Sequence, residues 1–218
     1  MPDVPIRLYY HVTMIGKFVE ITNEIFERVV SSGLYDKCDS ISIGVLGDSD
    51  KLSELNNAIS KFPKIKIVRH SENKGLFELF TIEELRNDCH NLDKFYAMYL
   101  HSKGVTSQNE ADAKYRDDWR REMLSSVVDK YADCIEALND GYDICGCRLV
   151  TARLSVSELT HASGNFWFAN SQYIKTLPEI RTNQNSENPY PGAMYAEMWP
   201  FSGQPIIFCI DKMKYLRP

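Results

Sequence analysis

Short apolar runs alternate with amphipathic stretches through the first half of the chain. Ile6–Val12 is apolar and rich in β-formers and predicts a strand. Met14–Ser32 repeats Phe18, Ile21, Ile25 and Val29 at helical spacing and meets a stop signal at Gly33. Ser40–Leu46 predicts a second strand, closed by Gly47-Asp48-Ser49-Asp50, and Leu52–Phe62 a second helix. Ile65–Arg69 predicts a third strand with a turn at Asn73-Lys74-Gly75, and Phe77–Cys89 a third helix. Phe95–Leu100 predicts a fourth strand that ends in His101-Ser102-Lys103-Gly104. Helices joining short apolar strands in this order define an α/β fold, a mostly parallel sheet covered on both faces. Ligands in such sheets bind at the carboxyl ends of the strands, where these polar clusters fall.

The second half is less periodic. Gln108–Arg116 reads as a polar surface loop, Asp117–Leu138 as one long amphipathic helix and Tyr142–Leu149 as a strand. His161–Ala169 is compact and aromatic, Ser171–Leu177 a short helix, and Pro178–Pro191 a Pro/Asn-rich loop. Ala193–Trp199 carries Glu197, and Pro205–Ile210 predicts a last strand. No repeat, low-complexity tract or linker interrupts the pattern, so residues 1–218 read as one domain.

Composition narrows the classes. Hydrophobic residues at 44% and charged residues at 25% are ordinary globular values, which excludes collagenous, coiled-coil and wholly disordered chains. A net charge of −5 argues against a nucleic-acid partner and leaves room only for a local basic pocket. No apolar stretch approaches the about 18 residues of a membrane span. The opening MPDVPIRLYYHV lacks the charged and apolar regions of a signal peptide. Six scattered cysteines, with only Cys145 and Cys147 close together in an apolar run, read as small buried side chains in a reduced cytoplasmic chain.

No G-x-G-x-x-G, P-loop, G-x-S-x-G or H-E-x-x-H string occurs. The candidate chemistry lies elsewhere. Asp48 follows the second strand and can accept a hydrogen bond from a base or ribose, although Asp50 beside it can equally cap the next helix. His101, Ser102 and Lys103 cluster at the fourth strand end, where Lys103 can neutralise a phosphate and Gly104 permits close approach; a solvated turn is the plainer alternative. One of Arg116, Arg120 and Arg121 can pair with a phosphate, although three together read more plainly as a solvated helix face, and Trp119 reads as core. His161, Ser163, Gly164, Asn165 and Trp167 offer hydrogen-bonding groups and an indole beside a glycine, suited to a sugar ring or to a tight turn into a buried strand. Glu197 stands among apolar and aromatic residues next to Trp199, a setting that suits a general base. His11 ends the first strand and can border a nucleotide pocket, whereas His70 and His90 read as surface residues.

The order of these clusters resembles the nucleotide-sugar glycosyltransferases of the GT-A fold. The segments LYYHVTMIGKFVEI, YLHSKG, DWRREM, HASGNFWFANSQYIKTLP and YAEMWP resemble a group of small glycosyltransferases of viruses and marine microbes, among them enzymes that decorate chlorovirus capsid protein. The resemblance implies a Rossmann-like three-layer α/β/α fold with a nucleotide-binding half, 1–104, and an acceptor and catalytic half, 105–218. It implies nucleoside contacts from Tyr10, His11, Val12 and Asp48, and a turn at Asn73 and Gly75. Strand four of that family ends in a metal-binding D-x-D; this chain has His101-Ser102-Lys103 instead. Either His101 and a distant acid hold Mn²⁺ or Mg²⁺, or Lys103 compensates charge alone.

The implied reaction is inverting transfer from a nucleoside-diphosphate sugar, with uridine as the expected base, to a hydroxyl of a glycan or glycoprotein. Lys103 and His101 would face the diphosphate and Glu197 would be the base. His161, Ser163, Gly164, Asn165, Trp167 and Trp199 would hold the sugars. The resemblance is compatible with a piece of a longer polypeptide and, for a viral protein, with the host cytoplasm. A non-catalytic sugar- or nucleotide-binding domain of the same fold is the alternative; a nucleotidyltransferase is disfavoured because no G-x-G-x-R-like loop follows strand one.

Overall fold

The computed structural model describes residues 4–106, 109–153, 158–180, 193–211 and 214–216. An eight-stranded sheet forms its centre, with strands contributed by both halves of the chain. In chain order these are β1 (Ile6–Thr13), β2 (Cys38–Leu46), β3 (Ile65–Ser71), β4 (Tyr96–His101), β5 (Ile144–Gly146), β8 (Trp167–Asn170), β9 (Ile207–Cys209) and β10 (Lys214–Leu216). A separate hairpin pairs β6 (Leu149–Arg153) with β7 (Glu158–Ala162). The sheet order is β10-β9-β5-β8-β4-β1-β2-β3. The run β3-β2-β1-β4 is parallel, β8 is antiparallel to both of its neighbours, and β5 and β9 are parallel to each other. This is a Rossmann-like three-layer α/β/α arrangement.

Strand alternation sorts the central side chains between two cores. Leu8, Tyr10 and Val12 of β1, with Tyr96, Met98 and Leu100 of β4, face α1 (Phe18–Ser31). That helix buries Phe18, Ile21, Ile25, Phe26 and Val29, the stripe its spacing predicts. Tyr9 of β1 and Ala97 and Tyr99 of β4 face the opposite layer, which holds α4 (Leu79–Asn91), α7 (Ser171–Ile174) and α8 (Ala193–Met198). The remaining helices are α2 (Leu34–Lys37), α3 (Leu52–Ile59), α5 (Glu110–Met123) and α6 (Tyr131–Asn139). Among the described residues, no helix is long and apolar enough to cross a membrane.

Four expectations change. The expected surface loop before Asp117 is the first half of α5: Asn109 accepts the Asp112 amide at 2.9 Å, and Glu110 and Asp112 lie in the positive first turn. The expected long helix is α5, a π-helical turn over Leu124–Val128, and α6. The expected strand Tyr142–Leu149 stops at Gly146, because the chain turns at Arg148, whose φ is 52°. Arg120 is not solvated. It is 2% exposed, bonded to Glu24, Asp117 and the Lys103 carbonyl. Of the expected loop Pro178–Pro191, residues 181–191 lie outside the described residues. All six cysteines are buried as thiols, and none forms a disulfide.

Candidate functional site

The strand order reverses between β1 and β4: successive strands build outward from β1 to β3, and β4 then returns to the other flank of β1. A crevice at the carboxyl ends of the strands opens at such a switch point. His11 and His101 are register partners there. The Ser102 amide donates to the His11 carbonyl at 2.9 Å, and the Thr13 amide donates to Ser102 Oγ at 3.0 Å, so the two strand ends are pinned together.

A buried polar network forms the floor. Glu78, at the N-terminus of α4, is 8% exposed, and its carboxylate accepts three hydrogen bonds. Tyr99 Oη and Asn165 Nδ2 donate to Oε2 at 2.9 and 2.8 Å, and His101 Nδ1 faces Oε1 at 2.9 Å. The other ring nitrogen of His101 donates to the Gly164 carbonyl at 2.9 Å. Burial pushes the Glu78 carboxyl up, but the charge and hydrogen bond of His101, with His11 and Asn165, outweigh it and hold the group down at about 2. The same surroundings push the Tyr99 phenol far above its ordinary value, burial first and the Glu78 charge next. Asn165 Oδ1 accepts Trp167 Nε1 at 2.7 Å, and its Nδ2 also reaches the Ala196 carbonyl at 3.4 Å. Asn165 sits at φ 56°, a left-handed turn that Asn tolerates. His11 bonds Thr81 Oγ1 at 2.8 Å and Thr13 Oγ1 at 3.2 Å, and burial lowers its pKa to about 4.

Beside this floor lie Lys103, Glu197 and His161. Lys103 Nζ lies 3.9 Å from Glu197 Oε1 and 4.1 Å from the centre of the Trp119 ring. His161 Nε2 lies 4.0 Å from Glu197 Oε2. The side chains of Lys103, Glu197 and His161 are 14%, 21% and 9% exposed. His161 Nδ1 and Trp119 Nε1 are buried and have no hydrogen-bond partner among the described residues. The Arg148 guanidinium also lies over Trp119, at 5.1 Å, so this indole is a cation platform as well as core. The expectation of an apolar setting for Glu197 is corrected: it lies beside the Lys103 ammonium and the His161 ring. Gly164, at φ 94°, packs so closely that an added Cβ would stand 2.4 Å from Met123 Sδ.

The structure thus gathers His11, His101, Ser102, Lys103, His161, Gly164, Asn165 and Glu197 around one strand-end mouth. It does not place the whole expected set there. Tyr10 and Val12 point to the α1 core; they neighbour His11 in sequence but alternation turns them away, and Tyr10 bonds Thr22 instead. Trp167 is wholly buried and stacked on Tyr99 at 5.4 Å, and Trp199 is 1% exposed with Nε1 on the Pro178 carbonyl. Neither offers a face to a sugar. Asp48 is exposed at the end of β2, Asn73 spends its side chain on the Gly75 amide at 3.1 Å, and Ser163 is half-buried with its amide on the Arg148 carbonyl. Residue spacing left Glu78 unnoticed, because the partners that define it lie 21 and 87 positions away.

The divalent metal implied by the GT-A resemblance does not fit these residues. Both nitrogens of His101 are engaged, and Glu78 is already held by three donors. Among the described residues, no group of three His, Cys, Asp or Glu side chains is placed to hold a metal ion.

Fold and strand-end mouth define a doubly wound α/β protein with a polar site at its switch point. The sequence matches, over residues 9–205, the family described as Domain of unknown function (DUF8361), and the chain belongs to that family. No curated protein matches the sequence. Among solved structures, it is similar to 4-diphosphocytidyl-2C-methyl-D-erythritol synthase from Anaerococcus prevotii, at 13% identity and a TM-score of 0.43, covering 79% of this chain and 74% of that one. It is also similar to HddC from Yersinia pseudotuberculosis, at 11% identity and a TM-score of 0.44, covering 87% and 88%.

Proposed function

We propose that the chain is a transferase that uses a nucleoside-diphosphate sugar, with UDP as the expected carrier, and moves the sugar to a hydroxyl of a glycan or glycoprotein acceptor. The observation that carries this reading is the convergence of Lys103, Glu197 and His161 within 4.0 Å contacts over the switch point. The resemblance to GT-A glycosyltransferases supports the choice of reaction.

The leaving diphosphate gains negative charge as the glycosidic bond breaks, and a fixed cation lowers that barrier. Lys103 is that cation. Without ligand its ammonium faces Glu197; the donor's diphosphate competes for it and frees the Glu197 carboxylate. Glu197 then takes the proton of the acceptor hydroxyl as its oxygen attacks the anomeric carbon, the diphosphate departs from the opposite face, and the configuration inverts. His161 orients the acceptor and limits rotation of Glu197. His101, with both nitrogens bound inward, positions the strand end and does not touch the diphosphate. Release of UDP from a panel of UDP-sugars, compared between the parent, Glu197→Gln and Lys103→Ala, tests the assignment. Loss of turnover in Glu197→Gln with retained UDP binding supports the base, and full turnover overturns it.

One observation favours a second reading. The fourth strand end lacks the acid pair of the resembled enzymes, as a sugar- or nucleotide-binding domain without catalysis would. UDP binding without release from any UDP-sugar would establish that reading.

A further inference from the structure

Glu78 lies outside every motif, yet it touches both halves of the mouth. His101 Nδ1 faces its Oε1 at 2.9 Å, and His101 lies two residues before Lys103 on the same strand end. Asn165 Nδ2 donates to its Oε2 at 2.8 Å and also reaches the carbonyl of Ala196, the residue before Glu197. The Gly164 carbonyl closes the circuit by accepting His101 Nε2. The circuit runs from Glu78 through His101 and Gly164 to Asn165 and back. It joins α4, β4, the turn between β7 and β8, and α8.

The hydrogen-bond inventory fixes the orientation of each member. Asn165 turns its amide nitrogen to two acceptors and its oxygen to the Trp167 indole. Both nitrogens of His101 face acceptor oxygens, Glu78 Oε1 and the Gly164 carbonyl, so the ring is held between the two. The other polar groups facing the pair are His11 and the Tyr99 hydroxyl, and Phe166 meets the His101 ring edge-on at 5.7 Å. The N-terminus of α4 adds a favourable field for the carboxylate. Removing any one member leaves a buried charge or donor unpaired, so the circuit is held in one arrangement.

We propose that Glu78 is a positioning residue that sets Lys103, through His101, and Glu197, through Asn165 and Ala196, in one fixed relation. This inference rests on the reading of Lys103 and Glu197 as the reacting groups. Glu78 touches neither of them in the described hydrogen bonds and acts only through the network.

The test uses Glu78→Gln, which keeps the shape and removes the charge, and Glu78→Asp as the conservative variant. In Glu78→Gln, the Lys103 side-chain and Glu197 amide magnetic resonance signals should shift. These readouts need no turnover. Unchanged Lys103 and Glu197 signals would overturn the positioning role even if no donor is ever found. With a working donor, kcat should fall about 10- to 100-fold in Glu78→Gln, the cost of a small misplacement, with KM nearly unchanged and partial recovery in Glu78→Asp. A lower melting temperature with kcat intact per folded molecule would show a structural role only and overturn the proposal. Glu197→Gln inactive with Glu78→Gln fully active would leave the transferase reading standing and this inference refuted. Shifted signals without turnover in the parent would support the positioning and refute the reading beneath it.

Discussion

His11 gives a direct check on the buried floor. It is 1% exposed and held between Thr81 and Thr13 hydroxyls, which can supply the one donor and one acceptor a neutral imidazole needs. Burial lowers its pKa from 6.5 to about 4, with the Glu78 charge opposing and the neighbouring His101 assisting. A histidine depressed in the folded state binds a proton more readily when unfolded. Its contribution is complete above the unfolded value of 6.5 and is lost as pH falls toward the folded value of about 4. At about 1.36 kcal/mol per unit, the depression corresponds to roughly 3 kcal/mol, of which about 2.5 kcal/mol disappears between about pH 7.5 and pH 4.5. Urea unfolding of the parent and of His11→Gln at both pH values isolates the effect. The parent should lose about 2.5 kcal/mol more than the variant on acidification. Equal losses in the two proteins, or a His11 ring that titrates at its ordinary value, would refute the account of a dry, neutral floor.

Other predictions follow from the same packing. Glu78 titrates from its ordinary 4.5 down to about 2, so a second loss of stability should open below pH 4.5 as the carboxylate protonates; acid unfolding of Glu78→Gln should lack it. Arg120→Met removes the buried partner of Glu24 and Asp117 and the donor to the Lys103 carbonyl, and should cost about 1–3 kcal/mol in urea unfolding. Gly44→Ala places a Cβ 1.9 Å from Thr81 Oγ1, which holds His11, and should lower stability by about 1–3 kcal/mol with a changed His11 ring signal. A thiol reagent should leave the six buried cysteines of the native protein unmodified and label all six in denaturant.

The α/β order was legible because each central strand is a short apolar run and each crossover helix carries an apolar stripe, as in β4, where all six residues are buried. Strand-end location alone brought out His11, His101 and Lys103. Alternation was the missed lesson at Tyr10 and Val12, since neighbours on a strand face opposite layers. Trp167 and Trp199 misled because an aromatic near polar residues reads equally as platform or core; partners distant in sequence, Tyr99 and Pro178, decide for core. Glu78 has no local signature at all: it precedes an apolar helix like any capping acid, and its chemistry exists only once β4 and the turn after β7 close upon it. Helix α5 was hidden by its charge, although Asn109 followed by Glu110 and Asp112 is a start signal readable from sequence.

The most direct test of a sugar transferase at the β1/β4 mouth is the release of UDP from UDP-sugars by the purified protein, in chelator, with and without the Glu197→Gln substitution. The account predicts turnover that persists in chelator and is lost in Glu197→Gln while UDP binding remains. Absence of UDP release in the folded parent across the whole panel, with or without UDP binding, would contradict it.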